Sequence, residues 1–293
     1  MDIGKVGIWT FAFDQLPNAQ AQELAAEVEQ MGFGAIWIPE AVGKDPLVHA
    51  GLLLSATSRI ALATGIASIY ARDAMAMKQA QMTLTEAFPD RFLLGLGVSH
   101  APMVEGMRGH TYGKPVTAMR AYLETMETAL YLGAAPTATP HTVIGALGPN
   151  MLTLAAERTQ GAHPYNVTPE HTAQAREILG AGKLLAPELA VTLTADPSAA
   201  RVLGRAHLAV YLGLPNYVNN LRRLGFGDAD FAEGGSDRLV DGIVAWGTAD
   251  QVAARVREHH DAGADHVCLQ VLVERGAAAP VQQWRELAAV LVP

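Results

Sequence analysis

The sequence predicts an α/β protein: a (β/α)8 TIM barrel with an insertion after the seventh strand. Three observations carry this expectation. Short β-rich runs alternate with longer amphipathic helical patterns, and the alternation repeats eight times in 293 residues. The strand candidates are continuous apolar runs rather than clean alternations, as parallel strands covered on both faces require. Half of the residues are hydrophobic, which suffices for the single large core of such a barrel. An open doubly wound sheet would give the same strand count, because counting strands does not show closure.

The elements follow in order. "KVGIW" (Lys5–Trp9) is the first strand, and "NAQAQELAAEVEQMG" is an amphipathic helix stopped by Gly32. "GAIWIP" leads to "DPLVHAGLLLSATS", where Asp45 is placed to cap the helix and Pro46 to open it. "RIALATGIASIY" is the third strand, followed by "DAMAMKQAQMTLTEAF". Gly65 stands inside this strand, where a glycine packs nothing and weakens the pairing, so its presence asks for a reason. "RFLLGLGV" (Arg91–Val98) leads through a loop to "KPVTAMRAYLETMETALYL". "TVIGALG" precedes "NMLTLAAERTQ", and "GAHPY" precedes "TPEHTAQAREILG". "LLAPELAVTLT" is the seventh strand, followed by a helical insertion of about residues 198–246. "TADQVAARVREHHDAG", "DHVCLQVLV" and "PVQQWRELAAVL" close a single domain of residues 1–293.

Composition excludes several functions. The formal net charge of −8 argues against a general nucleic-acid or anionic-membrane surface, though a small anionic ligand needs only a local positive site. Cys268 is the single cysteine, so no internal disulfide forms, and it reads as a buried small hydrophobe. No signal peptide is visible, and no apolar run reaches the roughly 18 residues of a membrane span. A cytoplasmic protein acting on a small molecule is expected.

Familiar motifs fail. "GLGVSH" lacks the third glycine of a dinucleotide fingerprint and opens into a loop; "GHTYGKP" has no Ser or Thr after Lys114, so it is no phosphate loop. No histidine pair has zinc-helix spacing, the adjacent His259 and His260 read as a solvated helix face, and no metal is expected.

Barrel chemistry sits at the C-terminal ends of the strands. That rule selects Trp9 and Thr10, Glu40, the segment from Gly65 to Tyr70, Val98 to His100, Gly148 to Asn150, and His163 with Tyr165. The expected mouth is aromatic and weakly charged, which suits a flat aromatic ligand. "GPNM" (Gly148–Met151) starts a helix whose free N–H groups make a ready phosphate site.

The runs "GFGAIWIPE", "ATGIASIYARDAMAMKQAQMTLTEAFPDRFLLGLGVSH" and "IGALGPNMLTLAAERTQGAHPY" resemble the luciferase-like monooxygenase superfamily, most of all the branch using the deazaflavin coenzyme F420. The resemblance covers most of the chain. It implies a third-strand bulge with a cis peptide between Gly65 and Ile66, backing the centre of the cofactor ring. It implies that Gly65, Ile66, Ala67, Val98 and Ser99 bind the cofactor, with Gly148, Pro149, Asn150 and Met151 at its phosphate and His163 nearby. Two departures from better-known deazaflavin dehydrogenases stand out. Glu40-Ala41 replaces an acid–histidine pair, and Val98 replaces a glutamate. Glu40 and His100 are then the candidates for proton handling, and Trp9, Tyr70 and Tyr165 line the substrate pocket. The expectation is an F420-dependent oxidoreductase forming a homodimer. An FMN-dependent monooxygenase and a non-catalytic flavin-binding protein are the alternatives.

Overall fold

The computed structural model describes residues 1–292. Strand β1 (Val6–Trp9) pairs in parallel with β2 (Ala35–Ile38), and β2 with β3 (Ala61–Thr64). After Gly65 and Ile66 the third strand resumes as β4 (Ala67–Ser68), and both pieces pair with β5 (Phe92–Gly97). The parallel order continues through β6 (His141–Ile144), β7 (Gly161–Ala162) and β8 (Leu184–Leu185). Strand β9 (Glu188–Thr192) pairs with β10 (Val244–Trp246) on one side and with β11 (Val267–Val271) on the other, and β11 pairs with β1.

Only Ala186 and Pro187 separate β8 from β9. Ala186 N–H donates to Ala162 O (3.0 Å) and Glu188 N–H to Pro164 O (2.8 Å), so pairing with the sixth barrel strand continues across this bend. Proline supplies no N–H, which explains the break. The ring of parallel strands therefore closes through residues 184–192.

Helices α1 (Asn18–Gln30), α2 (Pro46–Ser55), α3 (Ala74–Ala87), α4 (Pro115–Thr128), α5 (Pro149–Arg158) and α6 (Pro169–Leu179) cover the ring in sequence. Asp45 caps α2 as expected, accepting from the N–H groups of Leu47 (2.9 Å) and Val48 (3.0 Å). After β9 come α7 (Pro197–Leu212), α8 (Pro215–Arg223), α9 (Asp228–Phe231) and α10 (Asp237–Ile243), then β10, before α11 (Ala249–Asp261) and α12 (Val281–Leu291). The expected helical insertion thus ends in a strand, because Val244-Ala245-Trp246 extends the sheet beside β9.

Side chains alternate across the strands and build two cores. Ile8, Ile36, Ile38, Leu62, Leu94, Leu96 and Ile144 face outward and pack under the helices. Trp9, Trp37, Leu93 and Val143 face inward among Ala35, Ala61, Ala63, Ala186 and Cys268. The small residues make room for two indoles, so the barrel is filled rather than open. A fully buried indole of roughly 200 Å² stabilises the fold by up to about 5 kcal/mol at ~25 cal per Å². Trp37 Nε1–H donates to His266 Nε2 (3.1 Å), which keeps that polar atom satisfied in the apolar interior.

His259 departs from its expected solvated place. It is fully buried and bonded to Thr172 Oγ1 (2.9 Å), because its face of α11 packs on α6. Among the described residues, no helix is long and apolar enough to cross a membrane.

Candidate active site

One wall of the barrel mouth is made from missing side chains. The peptide between Gly65 and Ile66 is cis. Across it the register slips by one residue: Ala63 pairs with Leu93, but Ala67 pairs with Leu96. The flanking groups remain bonded, Gly65 N–H to Ile38 O (2.8 Å) and Glu40 N–H to Ile66 O (3.2 Å). Thr64 Oγ1 donates to Gly95 O (2.7 Å) and accepts from Gly95 N–H (2.8 Å), which spans the gap in the ladder. Gly65 has no room for a side chain: a Cβ there would stand 2.5 Å from Trp9 Nε1 and 3.1 Å from His163 Nε2. Trp9 Nε1–H donates to the Gly65 carbonyl (3.0 Å). The Ile66 side chain rests against three glycines. A Cβ on Gly97 would lie 2.4 Å from its Cδ1, and one on Gly145 or Gly95 would lie 3.5 or 3.7 Å from its Cγ2.

Glu40 clamps this bulge. One carboxylate oxygen accepts from Ser68 N–H (2.7 Å), and the two oxygens take Arg72 as a fork at 2.8 and 3.0 Å. Arg108 adds a third cationic contact at 3.5 Å. Arg72 also reaches Asp45 (2.7 Å), so its burial is offset by two carboxylates.

The opposite wall comes from the end of the sixth barrel strand, from β9 and β11, and from the insertion. Tyr165 O–H donates to Gln270 Oε1 (2.5 Å) and meets the Tyr211 hydroxyl at 2.9 Å. Trp9 packs on Tyr165, with ring centroids 5.1 Å apart, and so joins the two walls. Tyr217 closes on Tyr211 edge-on at 4.9 Å and lies 5.7 Å from the His100 ring. Burial raises the phenol pKa of Tyr165 and Tyr217 well above its ordinary value and pushes Tyr211 up to about 12. His207 Nε2–H donates to Asn166 Oδ1 (2.8 Å), and burial lowers its pKa to about 4. Behind them Glu188 is fully buried. One oxygen accepts from Asn166 N–H (3.0 Å), the other has no partner, and burial raises its pKa to about 8.

The sequence-selected residues separate into distinct places. Trp9, Gly65, Ile66, Tyr165 and His100 line the mouth. Glu40 borders it, with its carboxylate engaged. His163 does not lie at the start of α5: it is stacked on Trp37 (4.3 Å), bonded through Nδ1 to Ala186 O (2.7 Å) and buried behind Gly65. Burial holds its pKa down at about 4. Ala67 and Met151 pack into the outer core. Val98 is partly buried against that core, and Ser99, at positive φ, accepts from Tyr112 O–H (3.2 Å) through its carbonyl. Tyr70 holds the same loop, accepting from Gly113 N–H (3.0 Å) and packing on Tyr112. Gly148 is the cap residue of α5, and Pro149 and Asn150 stand exposed at its first turn. Burial lowers the pKa of His100, which keeps its imidazole neutral near pH 7.

Sequence reasoning missed Tyr211, Tyr217, His207, Glu188 and Gln270. A signal existed for some of them. His207 and Tyr211 sit four apart on one face of α7, and Glu188 and Gln270 interrupt otherwise apolar strands. Among the described residues, no group of three or more His, Cys, Asp and Glu could hold a metal ion. A cleft of about 590 Å³ between the start of α6 and the insertion is lined by none of these mouth residues, and its Arg238 and Arg255 are paired with Asp230 and Glu258.

Comparison with known proteins agrees with this geometry. The family description "luciferase-like monooxygenase" matches residues 6–266. A Mycobacterium tuberculosis protein, provisionally named as a coenzyme F420-dependent oxidoreductase, is 26% identical over 98% of this chain and 99% of its own. A solved F420-dependent secondary alcohol dehydrogenase, in complex with an F420–acetone adduct, superposes with a TM-score of 0.76 at 14% identity, covering 98% of this chain and 97% of its own. The oxygenating constituent of 3,6-diketocamphane monooxygenase from Pseudomonas putida, in complex with FMN, gives a TM-score of 0.72 at 14% identity, covering 99% and 98%. At such identities these two structures speak for the fold.

Proposed function

The chain belongs to the luciferase-like monooxygenase family and is an oxidoreductase; we propose that its cofactor is the deazaflavin coenzyme F420, and that it moves a hydride between this cofactor and a small organic substrate. The observation that carries the proposal is Ile66, seated on Gly95, Gly97 and Gly145 and facing a mouth closed by Tyr165, Tyr211 and Tyr217. An apolar support facing an aromatic wall is the kind of lining a flat ring requires. The full-length similarity to the mycobacterial protein favours the deazaflavin over FMN.

When bound, the deazaflavin supplies the two-electron hydride chemistry. The protein does the rest. Ile66 supports the ring, and Trp9 fixes the bulge through its bond to the Gly65 carbonyl. At the start of α5 Pro149 has no N–H, and the Met151 N–H is turned back to the Gly148 carbonyl (3.1 Å). Gly148 and Asn150 are therefore the residues whose backbone N–H groups would meet the phosphate. His100, neutral near pH 7, exchanges the proton that accompanies hydride transfer. Glu40 is spent on Arg72 and Ser68 N–H, so its part is to hold the bulge in place.

FMN is the second reading, because the same cradle suits either ring and a structural neighbour holds FMN. Titration of the cofactor-free protein with each compound separates the two. Saturable quenching of F420 fluorescence is expected; a protein that takes up FMN and ignores F420 overturns the proposal. Bound F420 without turnover on any alcohol, ketone or enone would favour a carrier. A homodimer in a reducing cytoplasm completes the reading, and light scattering at twice the 31.0 kDa chain mass checks the assembly.

A further inference from the structure

We propose that the insertion completes the cofactor's phosphate site: Arg223, steered by Asn220, reaches over the start of α5 and binds the phosphate together with the helix N–H groups. This rests on the cofactor reading above, but it concerns a side chain from a different part of the chain.

The first observation is electrostatic. The start of α5 is the positive end of a helix of 10 residues, with no acidic residue in its first turn and no side-chain cap on Gly148. Arg223 Nη2 lies 3.2 Å from where a Cβ on Gly148 would stand. Arg223 is exposed, so water screens its repulsion from the positive helix end, and an anion seated between the two would be attracted by both.

The second observation is the company Arg223 keeps. The other arginines of the insertion, Arg201, Arg205, Arg222 and Arg238, each have a carboxylate partner. Among the described residues Arg223 has none within salt-bridge distance, and its one side-chain partner is Asn220 Oδ1 at 3.3 Å. Its charge is thus left free at the helix start.

The third observation is buried. Asn220 is 2% exposed, and its Nδ2 has no hydrogen-bond partner. An unpaired buried amide is costly, whereas a phosphate oxygen beside Arg223 would accept from it. Arginine and phosphate form the strong, often bidentate, charge-assisted pair that such a site needs. The amide therefore both aims the guanidinium and adds a donor of its own. Because α8 also carries Tyr217, the same helix serves the phosphate site and the closed mouth.

The test compares ligands that differ only beyond the ribityl chain. Arg223→Gln and Arg223→Lys are titrated with F420 and with its phosphate-free deazariboflavin chromophore at low salt, after melting curves without ligand confirm folding. R223Q should weaken F420 binding by about tenfold or more and leave deazariboflavin within about twofold, and R223K, which keeps the charge without the fork, should recover part of the loss. Equal losses for both ligands, or no loss for F420, overturn the proposal. If the wild type prefers FMN, the cofactor reading fails, and the ratio between FMN and riboflavin decides this one by the same criteria. If it binds no flavin, inorganic phosphate is titrated by calorimetry. Phosphate binding that R223Q removes supports the site, and absent binding overturns it.

Discussion

The two walls of the barrel mouth are built by opposite means. The bulge wall is made of glycines and one isoleucine: Gly65, Gly95, Gly97 and Gly145 around Ile66. Its shape is fixed by backbone bonds, by the absence of Cβ atoms and by the Glu40–Arg72 clamp beside it. The insertion wall is made of side chains, Tyr165, Tyr211, Tyr217, His207 and Gln270, with Glu188 behind them. The first wall suits an invariant surface, such as the face of a cofactor ring. The second can be rebuilt by changing a few residues on two helices, which suits substrate selection.

Buried groups on the two walls answer pH in opposite senses. His163, buried behind Gly65 with a pKa of about 4, weakens the fold as pH falls below its ordinary 6.5, whereas Glu188 behind the insertion wall weakens it as pH rises. Glu188 has its pKa raised to about 8 by burial, against an ordinary 4.5. A raised pKa means the fold holds the protonated acid, so this contribution is complete below about pH 4.5 and is lost as pH rises toward 8. Glu188→Gln keeps an acceptor for Asn166 N–H and removes the titration. The variant should gain on the wild type by as much as a few kcal/mol between pH 5 and pH 8, read from urea midpoints at both values. Parallel pH profiles for the two proteins would show that Glu188 is solvated or paired, and the insertion wall would lose its buried acid.

On the bulge wall the sharpest change is Gly97→Ala. The new Cβ would stand 2.4 Å from Ile66 Cδ1 and Cγ1, so Ile66 must swing into the mouth. Overpacking should cost about 1–3 kcal/mol of stability. Cofactor affinity should fall by roughly a hundredfold, about 2.7 kcal/mol. Adding Ile66→Ala restores the space and should recover part of the binding in a fluorescence titration. Full affinity in the single variant would remove Ile66 from the cofactor surface.

The same contrast explains what the sequence revealed. Eight βα units were legible because parallel strands are continuous apolar runs, and Gly65, Gly148 and Trp9 were legible because barrel sites fall at strand ends. The closure through Ala186-Pro187 was not, since a two-residue break looks like one long strand. His163 was misplaced because a strand-end position does not say which way a ring turns; here Trp37 and Ala186 O draw it inward. Tyr211 and Tyr217 were invisible because an insertion has no rule relating its residues to the mouth. Only its packing on β9 and β10 brings them there.

His100 stands between the walls, at the end of β5 and against Tyr217. His100→Ala should lower turnover by at least about tenfold, the low end of what proton transfer supplies, while cofactor affinity holds. Burial lowers the pKa of this imidazole, so the neutral form prevails above its ordinary 6.5. When the substrate is the hydride donor, neutral His100 takes up the proton it releases, so the wild-type rate in that direction should fall only in more acidic solution, and that limb should disappear in the variant. If affinity collapses and turnover at saturating cofactor persists, His100 belongs to the cofactor wall.

The smallest expected effect tests whether the walls are separable. Tyr165 gives its proton to Gln270 Oε1, so Tyr211 must be the donor in the 2.9 Å contact between the two hydroxyls. Tyr211→Phe removes that donor and keeps the ring that packs on Tyr165 and Tyr217. One neutral hydrogen bond contributes about 1 kcal/mol, so stability should drop by that order. Tyr165 would keep its bond to Gln270 but gain freedom to turn, which should raise KM for the substrate by about threefold to fivefold at that energy. Cofactor affinity should not change, because Tyr211 is not among the groups that crowd Gly65, Gly95, Gly97 or Gly145. Steady-state kinetics beside a cofactor titration reads both quantities from one preparation. A cofactor affinity that falls in step with KM would mean that Trp9, bonded to Gly65 and packed on Tyr165, transmits the disturbance across the mouth, and that the two walls act as one.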